Sequence, residues 1–508
     1  MLNMRVNLIC YFIAILISFF TRKIFLDRLG PEFIGLTTTV NSLLGFLNLA
    51  ELGVGTSIAY FLYKPIYEGN RKRINELISI MGYLYRIIGS FIGVSGLLAS
   101  AFLPLIFKDT EFSYGTLYYC FYAQLCASLL GYFINYKATT IFAADQRNYL
   151  VTGYFQASQF LMTLMQAAMA LYIQSYAIYI TITLLSSIVN SYILNWKFRS
   201  TYGWVQTDIR QGRIWLKACP EILVYVKRVF VHSLGGFVIG SVMPLVIYSY
   251  ATLTMVTMYG NYSILNSKIA SLISNALSGT GASVGNLIAE GNTQKTYNCY
   301  KELYSIKFLL VGVLSLCLVH LSSSFVAVWL GAEYVLAPVI VWLMCADFAL
   351  NIIRGTTEEF LSGFGLKADV WVPLCRVGSL IFIVLGGYYY GLIGILIPPV
   401  IVQISLMHLW KSFYLYRDGL KVPFRDYFVL LMENIAPLIV GFAVALFVEH
   451  CVMGCNGMPT SSWMDFCKSS VVFCVPMIVV SFVISYFTSS GFRLFLGRVN
   501  QYGKRLFQ

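Results

Sequence analysis

The chain has 508 residues, 58% of them hydrophobic and 11% charged, with a mean hydropathy of +0.74 and a formal net charge of +13. That composition excludes a soluble globular domain. The positive charge reads as membrane-surface charge facing anionic lipid, which excludes nucleic acid as a partner.

Apolar stretches long enough to cross about 30 Å of hydrocarbon recur from end to end. They predict about fourteen spans, beginning near residues 4, 34, 77, 117, 148, 176, 229, 255, 303, 335, 370, 391, 428 and 469. The first lacks a small-residue cleavage site and runs into Arg22 and Lys23, so it reads as a retained anchor. With the N-terminus in the cytoplasm, roughly 26 of the 35 Lys and Arg fall in cytoplasmic loops and about five on the far side. An even number of spans then returns the C-terminus to the cytoplasm.

Span two opens an internal repeat. Its Asn48, Leu49, Ala50, Glu51, Leu52, Gly53, Val54 and Gly55, closed by Glu68, Gly69 and Asn70, return as Ala276, Leu277, Ser278, Gly279, Thr280 and Gly281, closed by Glu290, Gly291 and Asn292. A second match relates Ile141 to Arg147 before span five with Gly363 to Asp369 before span eleven. Six spans separate the copies, so both run in the same direction, and two like-oriented bundles place a substrate between them. The expected architecture is an all-α polytopic membrane protein. Residues 1–196 form an N-terminal six-helix lobe, 197–228 a basic cytoplasmic connecting loop, 229–416 a second six-helix lobe, and 417–508 two additional spans with a cytoplasmic tail. Part of the connecting loop is expected to lie as an amphipathic helix at the inner interface, with Pro220 breaking or starting it.

Spans two and eight spend polarity inside the bilayer. Thr37, Asn41, Asn48, Glu51 and Gly55 recur at helical spacing in the first, and Lys268, Ser271, Asn275 and Ser278 in the second. Such a stripe must face protein or water. The serines also suit close helix packing alone, whereas Glu51 and Lys268 favour a hydrated cavity. Arg86 in span three, Asp347, Arg354, Glu358 and Glu359 in span ten, and Arg376 in span eleven are further intramembrane charges. Each costs several kcal/mol, by the lowest estimates about 2.5 to 3.5, unless paired or wetted. Arg354 and Glu358 stand four apart, which fits a local ion pair as well as substrate contact. Arg22 and Lys23 either snorkel to the outer interface or line the cavity mouth. The cavity candidates Arg22, Lys23, Arg86, Lys268 and Arg354 outnumber Glu51, Asp347 and Glu358, and that sign suits an anionic passenger such as a pyrophosphate.

The twelve cysteines read mostly as small buried hydrophobes, although Cys451, Cys455 and Cys467 near the outer ends of the last spans leave a disulfide open. No metal or organic cofactor is expected. The four histidines are widely separated with no carboxylate motif beside them, and the outer loops are short, which disfavours a membrane enzyme such as a polysaccharide polymerase or ligase.

In Leu29, Gly30, Glu32, Phe33, Gly35 and Leu36, then Glu51, Leu52, Gly53 and Gly55, then Tyr60, Leu62, Tyr63, Lys64 and Pro65, the chain resembles the polysaccharide-repeat flippases of the multidrug, oligosaccharidyl-lipid and polysaccharide exporter superfamily. The resemblance implies two six-helix lobes around a cationic cavity alternating between inward-open and outward-open states. It implies a non-enzymatic role in the bacterial inner membrane, moving undecaprenyl-diphosphate-linked sugar repeats for O-antigen, capsule or exopolysaccharide. Membrane lipid and polysaccharide assembly proteins are the partners implied. The pyrophosphate would rest on Arg22, Lys23, Arg86, Lys268 and Arg354, with Asn41, Asn48, Glu51, Ser271 and Asn275 lining the cavity. Glu51, Asp347 and Glu358 are the carboxylates available to a coupled proton or sodium ion. Gly53, Gly55, Gly279 and Gly281 would bend or pack tightly during rocking. Many members are assigned twelve spans, so the last two are a departure. The rival within the superfamily is a drug or cation antiporter, which needs a cavity biased negative.

Overall fold

The computed structural model describes the backbone of residues 2–108, 110–145, 147–276, 280–366, 371–453 and 462–506; the side chains of residues 2–11, 148–150, 152, 232, 238, 275–276, 280–283 and 501–506 lie outside the description. No strand occurs among the described residues. Among the described residues, ten helical stretches are long and apolar enough to cross a membrane. One of them, Trp371–Leu420, leaves helical geometry at Gly391 (φ 56°, ψ −139°) and so contains the eleventh and twelfth predicted spans. Leu2–Leu29, Asn148–Tyr172 and Leu253–Ala276 are helices at the first, fifth and eighth predicted positions. The fold is that of an all-α polytopic membrane protein.

The close of the repeat motif folds the same way twice. Glu68, Gly69 and Asn70 end one helix and start the next: Gly69 has φ +67° and the Asn70 side chain accepts the Arg73 amide at 3.1 Å. Gly291 has φ +75° and the Asn292 side chain accepts the Lys295 amide at 2.9 Å. Glycine reverses the chain in the left-handed region, and asparagine caps the following helix. Each motif thereby launches a long helix, Arg71–Ser100 and Thr293–Trp329. Of the second match, residues 367–369 lie outside the described residues.

The chain packs as two compact units, Met1–Thr257 with Pro373–Leu380, and Met258–Val372 with Ile381–Gln508. Helix Glu221–Tyr250, read from sequence as the opening of the second lobe, packs in the first unit beside Pro31–Leu47. The approach is close: a Cβ on Gly45 would lie 3.4 Å from Ser241 Oγ and one on Gly53 3.1 Å from the Phe230 amide nitrogen, and from the following helix the Thr257 hydroxyl donates to the Pro31 carbonyl at 2.6 Å. Packing and covalent repeat therefore divide the chain at different points. The connecting loop contains the expected helix, Ile209–Ala218, capped by Asp208, and Pro220 immediately precedes Glu221–Tyr250.

In the second unit, Tyr300, Tyr304, Phe360, Tyr416 and Tyr427 form a buried aromatic core. Tyr300 meets Phe360 edge-on at 5.2 Å and Tyr416 at 5.7 Å, and its hydroxyl lies 3.2 Å from that of Thr357. Tyr300→Ala is expected to cost about 3–5 kcal/mol, read as a fall in melting temperature of the purified protein. An unchanged melting temperature would contradict this core.

Candidate functional site

In the first unit, span two is not one continuous helix. Pro31–Leu47 gives way to a tight turn at Asn48–Glu51, Leu52 is extended, Gly53 is left-handed (φ 86°), and Val54–Tyr67 resumes. This corrects the single helical face expected to carry the polar stripe, because Glu51 sits in the break. Non-helical backbone at membrane depth is tolerated where protein or a wet cavity surrounds it. Here protein side chains converge. The Tyr85 hydroxyl donates to Glu51 Oε1 at 2.6 Å, and the Ser128 hydroxyl to Asn48 Oδ1 at 3.2 Å. The Tyr85 ring lies 5.7 Å from that of Tyr132 and stacks on Tyr136 at 5.8 Å. Gly55 makes room for this: a Cβ there would stand 2.8 Å from the Tyr85 hydroxyl oxygen and 3.5 Å from Glu51 Oε1. Asn41 is exposed, and Thr37 is turned back onto the Ile34 carbonyl at 3.0 Å. Lys23 and Arg86 are exposed on their helices, and Arg22 is half-buried.

In the second unit, Asp347, Asn351, Arg354 and Glu358 follow one another at spacings of four, three and four on the helix Pro338–Gly363, which places them along one face. The Arg354 Nη1 donates to Glu358 Oε1 at 2.8 Å, and Nε donates to Asn351 Oδ1 at 2.9 Å. Lys411 Nζ reaches the same Glu358 oxygen at 2.9 Å. The three charged side chains are 17%, 35% and 15% exposed for Arg354, Glu358 and Lys411, so solvent screens them only in part. The pair expected from spacing forms, and a second cation joins it. Lys411 lies in a continuing helix after the wide turns Gln403–Trp410. Beside them Lys307 Nζ meets Glu359 Oε1 at 3.2 Å, with Lys307 buried. The apolar setting of Lys307 in Thr293–Trp329 carries no signal of a partner 52 residues away.

Lys268 and Asp347 are half-buried in the same unit. The Ser271 hydroxyl is committed to the Ser267 carbonyl at 2.9 Å. The Asn275 side chain, Ser278 and Gly279 lie outside the described residues, as does the side chain of Gly281's neighbourhood at 280–283. The five cations expected from sequence to line a cavity thus fall into both units, Arg22, Lys23 and Arg86 in the first and Lys268 and Arg354 in the second. Arg354 and Glu358 join one cluster, Asn48 and Glu51 another.

Two of the histidines have partners that sequence spacing did not reveal. His408 is buried with Nε2 2.9 Å from the Leu350 carbonyl, and His320 Nε2 lies 2.6 Å from Glu449 Oε2, whose other oxygen accepts from Ser469 at 2.9 Å. Cys451 and Cys467 carry free thiols; Cys455 lies outside the described residues. Among the described residues no three His, Cys, Asp or Glu side chains gather as a metal site.

No protein-family model and no curated protein sequence matches the chain. Solved structures do. A lipid II flippase MurJ in an inward closed conformation superposes with a TM-score of 0.62 over 94% of this chain and 97% of its own, at 13% identity. An inward-facing multidrug resistance MATE family transporter of the MOP superfamily matches with a TM-score of 0.56 over 80% of this chain and 95% of its own, at 16% identity. The first is described as a flippase and the second as a transporter. The chain therefore shares the fold of these two proteins.

Proposed function

We propose that this protein is a flippase that carries an undecaprenyl-diphosphate-linked oligosaccharide repeat across a bacterial inner membrane for surface polysaccharide assembly. The observation that carries the reading is the shared carboxylate of Glu358, held by Arg354 and Lys411 at 2.8 and 2.9 Å. Two cations thus converge on one carboxylate oxygen. A pyrophosphate can compete with Glu358 for the guanidinium fork, which offers paired donors, and for the ammonium. Lys268 in the same unit, and Arg22, Lys23 and Arg86 in the first unit, are further cations of the same sign. The fold likeness to a lipid II flippase supports a lipid-linked passenger, and the motif resemblance within the first hundred residues supports a polysaccharide repeat.

Glu51 is the carboxylate best suited to a coupled proton or sodium ion. It sits in a break of span two with one oxygen held by Tyr85, whereas Glu358 is already held by two cations. Asp347 is the second candidate. The role is transport without bond chemistry, and both chain termini lie in the cytoplasm on the charge bias.

The test is deletion of the gene in its host, followed by mass spectrometry of undecaprenyl-linked oligosaccharides and of surface polysaccharide. The expected result is accumulation of the lipid-linked repeat on the cytoplasmic side with loss of surface glycan. Unchanged glycan with new sensitivity to cationic drugs would favour the antiporter reading. Repeats that reach the far side but stay unpolymerised would favour an enzyme.

A further inference from the structure

The C-terminal helix Ser490–Leu506 has no role in the alternating-access reading, yet it is anchored in a defined place on the second unit. Its first turn is tied down three ways. The Ser490 amide and hydroxyl donate to Glu433 Oε2 at 2.9 and 2.7 Å, the Ser489 hydroxyl donates to Asn434 Oδ1 at 3.1 Å, and the buried Phe492 ring meets Phe482 edge-on at 4.9 Å. Gly491 lies against the helix Thr293–Trp329 so closely that a Cβ would stand 2.2 Å from the Lys301 carbonyl oxygen. The helix is therefore docked along the first turns of Thr293–Trp329.

Between the two helices is a cavity of about 580 Å³. Residues at helical spacing on each side face it: Asn298, Lys301 and Glu302 from one, Arg493, Gly497 and Arg498 from the other. Glu302, 7% exposed in its side chain, is engaged by Arg498 Nη2 at 3.1 Å. Lys301 and Arg493 add two positive charges against no other carboxylate in the lining, and Lys301 Nζ leans over the Tyr297 ring at 4.9 Å. Leu494, exposed at the same cavity, supplies an apolar edge. The volume falls within the range of small-molecule sites, roughly 300–1,000 Å³. A basic amphipathic helix beside it belongs at a membrane surface facing anionic headgroups.

We propose that this cavity is a phosphate-binding site at the cytoplasmic surface, with Lys301, Arg493 and Arg498 as the cations and the phosphate of an anionic membrane lipid as the ligand. Arg498 is positioned by Glu302, so Lys301 and Arg493 are the charges that distinguish an anionic from a zwitterionic headgroup. The glycerol of the lipid sits towards Leu494, where its chains reach the bilayer. A soluble phosphate compound offers the same chemistry without the chains. The site is separate from Arg354 and Lys411, neither of which lines it, so it stands or falls independently of the flippase reading.

The experiment uses the full chain purified in a neutral detergent and titrated with cardiolipin, phosphatidylcholine or inorganic pyrophosphate, read by native mass spectrometry and thermal shift. Cardiolipin is expected to bind and stabilise the protein while phosphatidylcholine does not, and Lys301→Gln with Arg493→Gln is expected to weaken that binding about tenfold or more. Gly497→Glu provides a second variant, because a side chain at this position meets nothing within 4 Å and adds a repelling charge. Binding of pyrophosphate without cardiolipin would support the phosphate site and assign it to a soluble ligand if the variants lose it, whereas pyrophosphate binding that the variants retain belongs to other cations and would overturn the proposal. Cardiolipin binding that is equal in wild type and both variants, or binding of neither anion, would overturn the proposal.

Discussion

Arg354→Ala is expected to abolish export of the lipid-linked repeat at normal protein abundance, whereas Arg354→Ala combined with Lys411→Ala is expected to lose the protein as well. The difference follows from Glu358, whose Oε1 both cations share. In the single variant Lys411 still neutralises the carboxylate, so the fold keeps its pair and only the fork available to a phosphate is lost. In the double variant the partly buried carboxylate loses both of these cations at once, a destabilising change. Adding Glu358→Gln to the double variant should restore abundance without restoring export. Export would be measured as surface polysaccharide and abundance by immunoblot of membranes. Normal surface glycan in Arg354→Ala would remove the central observation from the proposed mechanism, and normal abundance in the double variant would show that Glu358 finds another partner.

The second large effect is expected at the break in span two. Tyr85→Phe leaves Glu51 without its 2.6 Å donor, and Gly55→Ala drives a methyl group to within 2.8 Å of the same hydroxyl. Hydrogen bonds to charged groups contribute about 1.5–3 kcal/mol. If that interaction holds the transport-competent geometry, either change slows transport roughly tenfold to a hundredfold. The two variants should therefore match each other and Glu51→Gln. Gly45→Ala is the control, since a Cβ there meets Ser241 Oγ at an ordinary 3.4 Å. Flux would be followed in proteoliposomes under an imposed proton or sodium gradient. Full coupled flux in Tyr85→Phe would sink the assignment of Glu51 as the coupling carboxylate.

The two sites differ in how far they could be read in advance. Arg354 and Glu358 are four residues apart, and helical geometry alone brings such side chains together. Lys411 comes from a helix 53 residues further on, and no local pattern distinguishes it from the loop lysines near it. Glu51 was visible as a carboxylate in an apolar span. Its hydrogen-bond partner was not, because Tyr85 among many membrane tyrosines has nothing in its neighbours to mark it. The break at Asn48 to Gly53 was only half legible: Gly53 and Gly55 signalled bending or close packing, but unwinding depends on what surrounds the freed backbone groups. His320 shows the same limit, since Glu449 reaches it across 129 residues of chain.

By itself the sequence determined the class of the protein, the positions of its helices and the reuse of one motif in both halves. These follow from local rules: apolar length needed to cross a bilayer, a glycine that enters the left-handed region, and an asparagine that caps the next turn. The Glu68 to Asn70 and Glu290 to Asn292 turns carry their structure within three residues. Only the tertiary structure decided which polar groups meet. It placed Glu221–Tyr250 with the first unit, brought Lys411 to Glu358 and Tyr85 to Glu51, and docked the C-terminal helix on Thr293–Trp329. In a hydrocarbon setting each buried charge or hydroxyl must find a partner somewhere. That requirement can be read from one residue, but the partner's identity depends on the packing of helices far apart in the chain.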